Sequence, residues 1–166
     1  MERCLLWKLS VITIPIAAEK QLNILVVDDE AGTRAALATV LRLAGHQAHF
    51  AVDGDEALEM FESGDAPYDL IITDHLMVRV SGLDLVRQLR ERGFEGQIVV
   101  LTAYAGKIEE QEYRRLEVSG IMEKPFHIAE LRQWLQCIWE SREEARAQGK
   151  VKGPPGSISF CWLKHE

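Results

Sequence analysis

Five side chains that follow short apolar runs could do chemistry together: Asp28 and Asp29 after NILVV, Asp74 after DLIIT, Thr102 after QIVVL, and Lys124 close behind SGIM. Paired carboxylates hold a hard divalent cation. A third carboxylate can act as a nucleophile, a hydroxyl can hydrogen-bond a phosphoryl oxygen, and a lysine can neutralise the charge on a transferred group. Asp74 is the best nucleophile candidate because it stands alone at the end of its run, leaving the paired acids for the ion. The chemistry this set suits is phosphoryl transfer.

The set can act only if the chain brings the run ends to one place. Between about residues 22 and 140, short apolar runs alternate with segments of helical spacing, which predicts βα units around a parallel sheet. Five runs are present: NILVV (23 to 27), QAHFA (47 to 51), DLIIT (69 to 73), QIVVL (97 to 101) and the weaker SGIM (119 to 122). The first, third and fourth are nearly continuous in apolar residues, as suits strands covered on both faces. The predicted fold is α/β, a doubly wound five-stranded parallel sheet with helices on both faces. In such a sheet the carboxyl ends of the strands share one edge, where ligands bind at the point of strand reversal.

If the strand order is 2-1-3-4-5, the first and third strands are neighbours about 4.8 Å apart. Asp28, Asp29 and Asp74 then crowd together, and each ionised pair repels by about 3 kcal/mol at 5 Å and an effective dielectric near 20. A lone Lys124 does not cancel that repulsion. Mg²⁺, which takes one or two carboxylates together with water and phosphoryl oxygens, fits the cluster better than a dedicated Ca²⁺ cage.

Blander readings exist for each residue. Asp28 and Asp29 could be acids at a solvated helix N-terminus, Asp74 a loop acid, Thr102 a backbone cap, and Lys124 a surface lysine before a turn proline. Their recurrence at successive strand ends favours the chemical reading. His75 invites an acid–base role beside Asp74, but is read as an exposed loop residue. Trp134 and Trp139 are read as packing or partner contacts.

The helices between the runs carry their own signals. Leu37, Val40, Leu41 and Ala44 recur at i, i+3, i+4 and i+7 before Gly45. Asp53 and Glu56 resemble a capping box ahead of Ala57, Leu58 and Phe61. Leu83, Val86 and Leu89 mark a third helix; Ile128, Leu131, Leu135 and Ile138 mark a fifth. The fourth, KIEEQEYRRLEV, is mostly charged, and its anchoring is predicted to rest on Ile108, Tyr113 and Leu116, which makes it the helix most free to move.

At 166 residues and 47% hydrophobic content the chain can close one core, and its net charge of -7 works against sequence-independent binding to nucleic acid. Cys4, Cys137 and Cys161 have neither metal-ligand spacing nor an even count, which suits a reducing cytoplasm. Residues 1–21 are predicted to be an irregular extension. They faintly resemble a secretory signal, but Glu2 and Lys8 argue against one, and no run is long enough to span a bilayer. Residues 22–140 are predicted to be the domain, and residues 141–166, with Gly-Pro-Pro-Gly at 153 to 156, a tail.

The motifs VVDDE (26 to 30), IITDHLM (71 to 77), LTA (101 to 103) and EKPF (123 to 126), in that order at strand ends, give the stretch from Asn23 to Ile138 its identity. It resembles the receiver domain of a two-component response regulator. The resemblance implies the flavodoxin-like order 2-1-3-4-5. It also implies a phosphoacceptor rather than a conventional enzyme: Asp74 takes a phosphoryl group from a histidine kinase or phosphotransfer protein. Mg²⁺ is held by Asp28, Asp29, Asp74 and the main-chain oxygen of Leu76, with Asp28 acting largely through water. Thr102 and Lys124 are drawn to the phosphate, which alters a protein-interaction surface on the fourth helix, fifth strand and fifth helix. A downstream protein target, with a homodimer through the fourth and fifth helices as an option, is implied in place of nucleic acid or membrane.

Three departures from the family pattern stand out. Val78 replaces the usual proline, Ile121 replaces the aromatic that rotates on activation, and Glu117-Val118 replaces a common Gly-Ala pair. Leu76 and Tyr104, which would border the phosphate, predict a long-lived phosphoryl-aspartate. The competing function is a degenerate receiver that serves as a constitutive protein-interaction domain without phosphorylation. A Mg²⁺-dependent phosphatase with Asp28 as nucleophile and Glu30 as its second acid fails at Gly32, where Thr or Val is needed.

Overall fold

A computed structural model describes residues 21–64, 67–103 and 106–147. All but the last residue of the predicted extension and most of the predicted tail therefore lie outside the described residues, as does Tyr104. Strands β1 (Asn23–Val27), β2 (Gln47–Ala51), β3 (Leu70–Asp74), β4 (Gln97–Thr102) and β5 (Gly120–Glu123) alternate with helices α1 (Ala31–Leu43), α2 (Gly54–Ser63), α3 (Gly82–Glu91), α4 (Lys107–Arg115) and α5 (Ile128–Ala147). The strands form one sheet in the order β2-β1-β3-β4-β5, and every pairing is parallel. Reversal of direction in the strand order falls between β1 and β3, so the crevice at their carboxyl ends is the natural ligand edge.

Alternation along the central strands divides the core in two. Leu25, Val27, Ile71, Ile98 and Val100 face one layer with Leu85, Val86, Leu89 and Tyr113. Ile24, Val26, Ile72, Val99 and Leu101 face the other with Leu37, Leu41, Leu131, Leu135 and Ile138. The period of two along a strand sends neighbouring side chains to opposite faces, which is why a sheet with helices on both sides needs near-continuous apolar runs.

The predicted helix signals hold with local corrections. Gly45 follows α1 with φ +83°, a conformation that only glycine adopts cheaply. At α2 the Asp53 side chain accepts from the Glu56 N–H, but Glu56 reaches back to the N–H of Val52 instead of that of Asp53, so the box closes one residue early. In α3 Leu85 is buried alongside Val86 and Leu89, whereas Leu83 is only half-buried. Ile128 opens α5 on the exposed side and takes no part in the core. The helix runs on to Ala147, past the predicted boundary at residue 140. Trp134 and Trp139 pack against the second core layer, and any side chain on Gly120 would run into the Trp134 ring.

Glu117 has φ +51°. It stands where the family pattern has glycine, and the left-handed conformation costs a residue with a side chain about 1 kcal/mol or more.

Candidate functional site

Register fixes the site. In the β1–β3 pairing Val27 lies beside Thr73, so the residues that follow, Asp28 and Asp74, arrive level with one another at the same edge. Carboxylate oxygens of Asp28, Asp29 and Asp74 lie within 4.8 Å of one another. Asp28 and Asp74 are buried, and Asp29 is exposed.

Lys124 enters from the far side of the sheet edge. Its N–H donates to the Thr102 carbonyl at 2.7 Å, continuing the β4–β5 ladder past Glu123. That bond aims the side chain inward, and Nζ lies 2.8 Å from Asp28 Oδ2 and 3.2 Å from Asp74 Oδ1. The lysine thus bridges two of the three acids. Burial works to lower the Lys124 pKa, but its hydrogen bonds to and attraction by Asp28 and Asp74 outweigh that and hold it above the ordinary lysine value.

Asp74 shows the opposite balance. Burial pushes its pKa up, Lys124 pulls it down, the Asp28 charge pushes it up again, and the net direction is upward. One lysine therefore does not offset the cost of crowding and desolvation. The other oxygen of Asp28 accepts from the Glu30 N–H at 2.8 Å, so both of its carboxylate oxygens are already engaged by the protein. Such a cluster suits a hard cation, with the exposed Asp29 as the acid best placed to reach one.

Thr102 is fully buried at the end of β4, in register beside Glu123. Leu76, two residues beyond Asp74, is 64% exposed and Val78 is 69% exposed, so the loop after β3 presents apolar side chains to solvent. That loop is held at several points. The His75 carbonyl accepts from Gly82 N–H at 2.9 Å, and Gly82 sits so close to the Asp74 carbonyl that a Cβ there would overlap it. Arg79, with φ +73°, hydrogen-bonds the buried carboxylate of Asp53 at the start of α2. This clamp occupies the stretch where proline is missing at Val78.

His75 corrects the sequence reading. It is only 8% exposed, because its N–H continues the sheet by donating to Leu101 O at 2.8 Å, which holds the residue at the strand end. Its Nδ1 lies 2.8 Å from the Tyr113 hydroxyl. No pattern around His75 signals this burial, since its partner is 38 residues away on α4. The Arg79–Asp53 contact was equally invisible for the same reason.

The response regulator receiver domain family model matches residues 24–136. Response regulator MprA of Mycobacterium ulcerans is 39% identical over 66% of this chain, which spans only 46% of that protein's length. Two-component response regulator 24 of Arabidopsis thaliana is 32% identical, with 71% of this chain and 84% of that protein aligned. Among solved structures, the chemotaxis protein CheY4 of Vibrio cholerae superposes with a TM-score of 0.66 at 29% identity, covering 71% of this chain and 98% of its own. The response regulator TrrA of Thermotoga maritima, solved in complex with Mg²⁺-BeF, superposes with a TM-score of 0.63 at 32% identity, over 70% of this chain and 98% of its own.

Proposed function

Since this chain belongs to the response regulator receiver domain family, we propose that it accepts a phosphoryl group on Asp74 from a histidine kinase or phosphotransfer protein. The observation that carries this reading is the cluster of Asp28, Asp29 and Asp74 bridged by Lys124. Receiver domains bind Mg²⁺ at an acidic pocket, and the residues here fit that ion: Asp29 and Asp74 as direct carboxylate ligands, Asp28 through water, and the Leu76 main-chain oxygen. When bound, Mg²⁺ would supply the positive charge that lets an anionic nucleophile approach an anionic phosphoryl group.

In the transfer, an Asp74 carboxylate oxygen attacks phosphorus and the P–N bond to the partner's imidazole breaks. The bonding electron pair leaves with the imidazole, and Asp74 becomes an acyl phosphate. In this reading Lys124, within 3.2 Å of Asp74 Oδ1, balances charge on the new group, and Thr102 hydrogen-bonds one of its oxygens. Water attack on phosphorus later releases phosphate and restores the carboxylate.

The exposed side chains of Leu76 and Val78 lie on the loop that follows Asp74 and suit apolar contact with the phosphodonor. Output runs to a downstream protein rather than to nucleic acid, in keeping with the net charge of -7. Residues 22–140 form the receiver unit in this reading, and its place is the cytoplasm. No helix among the described residues is long and apolar enough to cross a membrane.

Acetyl phosphate with Mg²⁺, followed by intact mass measurement, tests the reading. A gain of one phosphoryl mass that Asp74→Ala abolishes supports it. An unchanged mass points instead to a constitutive interaction domain without phosphorylation, the alternative that the departures at Val78 and Ile121 leave open.

A further inference from the structure

Helix α4 has few apolar residues, and among its described side chains Tyr113 alone is buried. Its first turn is acidic, and its N-cap, Gly106, makes no side-chain capping bond. Among the described side chains its anchor in the first core layer is the Tyr113 ring, with Leu116 half-buried at the C-cap against the same layer; the side chain of Ile108, the third predicted anchor, lies outside the described residues. The hydroxyl of that ring reaches Nδ1 of His75 at 2.8 Å, and the two rings meet edge to face with centroids 5.7 Å apart.

His75 is also bound by its main chain to the site. Its N–H donates to Asp74 Oδ1 at 2.9 Å as well as to Leu101 O, so rotation or modification of the Asp74 carboxylate changes a hydrogen bond made by this residue's own backbone. The Asp74 charge is felt at the Tyr113 hydroxyl, where burial first and then Asp74, Asp84 and Glu109 raise the pKa. On β5, Ile121 carries no hydroxyl and packs half-buried against the same core layer.

We propose that the buried His75–Tyr113 hydrogen bond couples Asp74 to α4, with Tyr113 as a positioning residue that sets the seat of the helix through His75. The inference rests on Asp74 being the reacting group. A change at the Asp74 carboxylate alters the His75 N–H bond, shifts the imidazole, and is felt at the one described side chain that buries α4. The coupling is a chain of packed, hydrogen-bonded groups with the Asp74 carboxylate at one end and α4 at the other.

Amide NMR spectra of the full chain, with and without beryllofluoride and Mg²⁺, test this in the wild type, Tyr113→Phe, His75→Leu and His75→Gln. The expected result is a set of wild-type shifts both around Asp74 and Thr102 and along Lys107–Arg115. Tyr113→Phe, which keeps the ring, and His75→Leu should lose the α4 shifts while keeping those around Asp74. His75→Gln, which can still hydrogen-bond the phenol, should restore them. A variant that fails to fold leaves the comparison to the others, since the Gln and Leu pair separates hydrogen bonding from packing. Unchanged α4 shifts in Tyr113→Phe or His75→Leu, or no α4 shifts in the wild type, overturn the coupling. Absence of shifts around Asp74 in the wild type sinks the phosphoacceptor reading itself, and the coupling with it.

Discussion

Replacing Asp74 with asparagine should stabilise the metal-free domain, an outcome opposite in sign to most substitutions of a buried polar residue. Lys124 Nζ at 3.2 Å attracts an ionised Asp74 by about 5 kcal/mol at an effective dielectric of 20. Carboxylates within 4.8 Å repel it by about 3.5 kcal/mol or more each, and the share from the exposed Asp29 is reduced by solvent screening. Attraction and repulsion nearly cancel, and burial then decides against the charge. The upward direction of the Asp74 pKa expresses the same balance. A group whose folded-state pKa is raised stabilises the fold below its unfolded value and loses that contribution as pH rises through the folded value. At neutral pH Asp74 is thus a net cost, which asparagine removes while keeping shape and hydrogen bonding. The gain should be about 1–3 kcal/mol, or an increase in Tm of about 4 °C or more for a domain of this size. Thermal unfolding in EDTA measures it. Added Mg²⁺ should then narrow the gap, because wild type gains about 2.7 kcal/mol at a hundredfold excess over its dissociation constant and the variant, with one ligand oxygen fewer in charge, gains less. A lower Tm for the variant in EDTA, or no response of either protein to Mg²⁺, refutes the account of a cluster kept under electrostatic load.

Other substitutions probe the remaining supports. Lys124→Met leaves Asp28 and Asp74 without their shared cation and should cost about 2–4 kcal/mol in EDTA, read from urea melts; Mg²⁺ should recover part of the loss. Gly82→Ala forces a Cβ onto the Asp74 carbonyl and should cost about 2 kcal/mol or more, with slower phosphorylation by acetyl phosphate because the strand end must shift. Glu117→Gly relieves a positive φ and should stabilise by about 0.5–1 kcal/mol, with no change in phosphorylation rate. Arg79→Ala removes the bond to Asp53 and should speed amide exchange across residues 76–81 without lowering Mg²⁺ affinity more than about threefold.

Much of this protein is set by local pattern. Continuous apolar runs at β1, β3 and β4, helical spacing between them, and acids at the strand ends are short-range features, and a parallel sheet then forces Asp28, Asp29, Asp74, Thr102 and Lys124 to one edge whatever the details of packing. What tertiary structure alone decided are contacts between residues remote in sequence. His75 follows Asp74 and looks like any loop residue, yet it is buried because β4 accepts its N–H and Tyr113, arriving from α4, meets its ring. Lys124 was legible as a site residue, but its bridging of Asp28 and Asp74 depends on the hydrogen bond to Thr102 that turns it inward. Ile128 fits the helical period of α5 and still lies in solvent, because a period marks which face a residue shares and cannot tell where along the helix the core ends. Pattern determines which side chains share an edge or face; only the packed chain determines which of them touch.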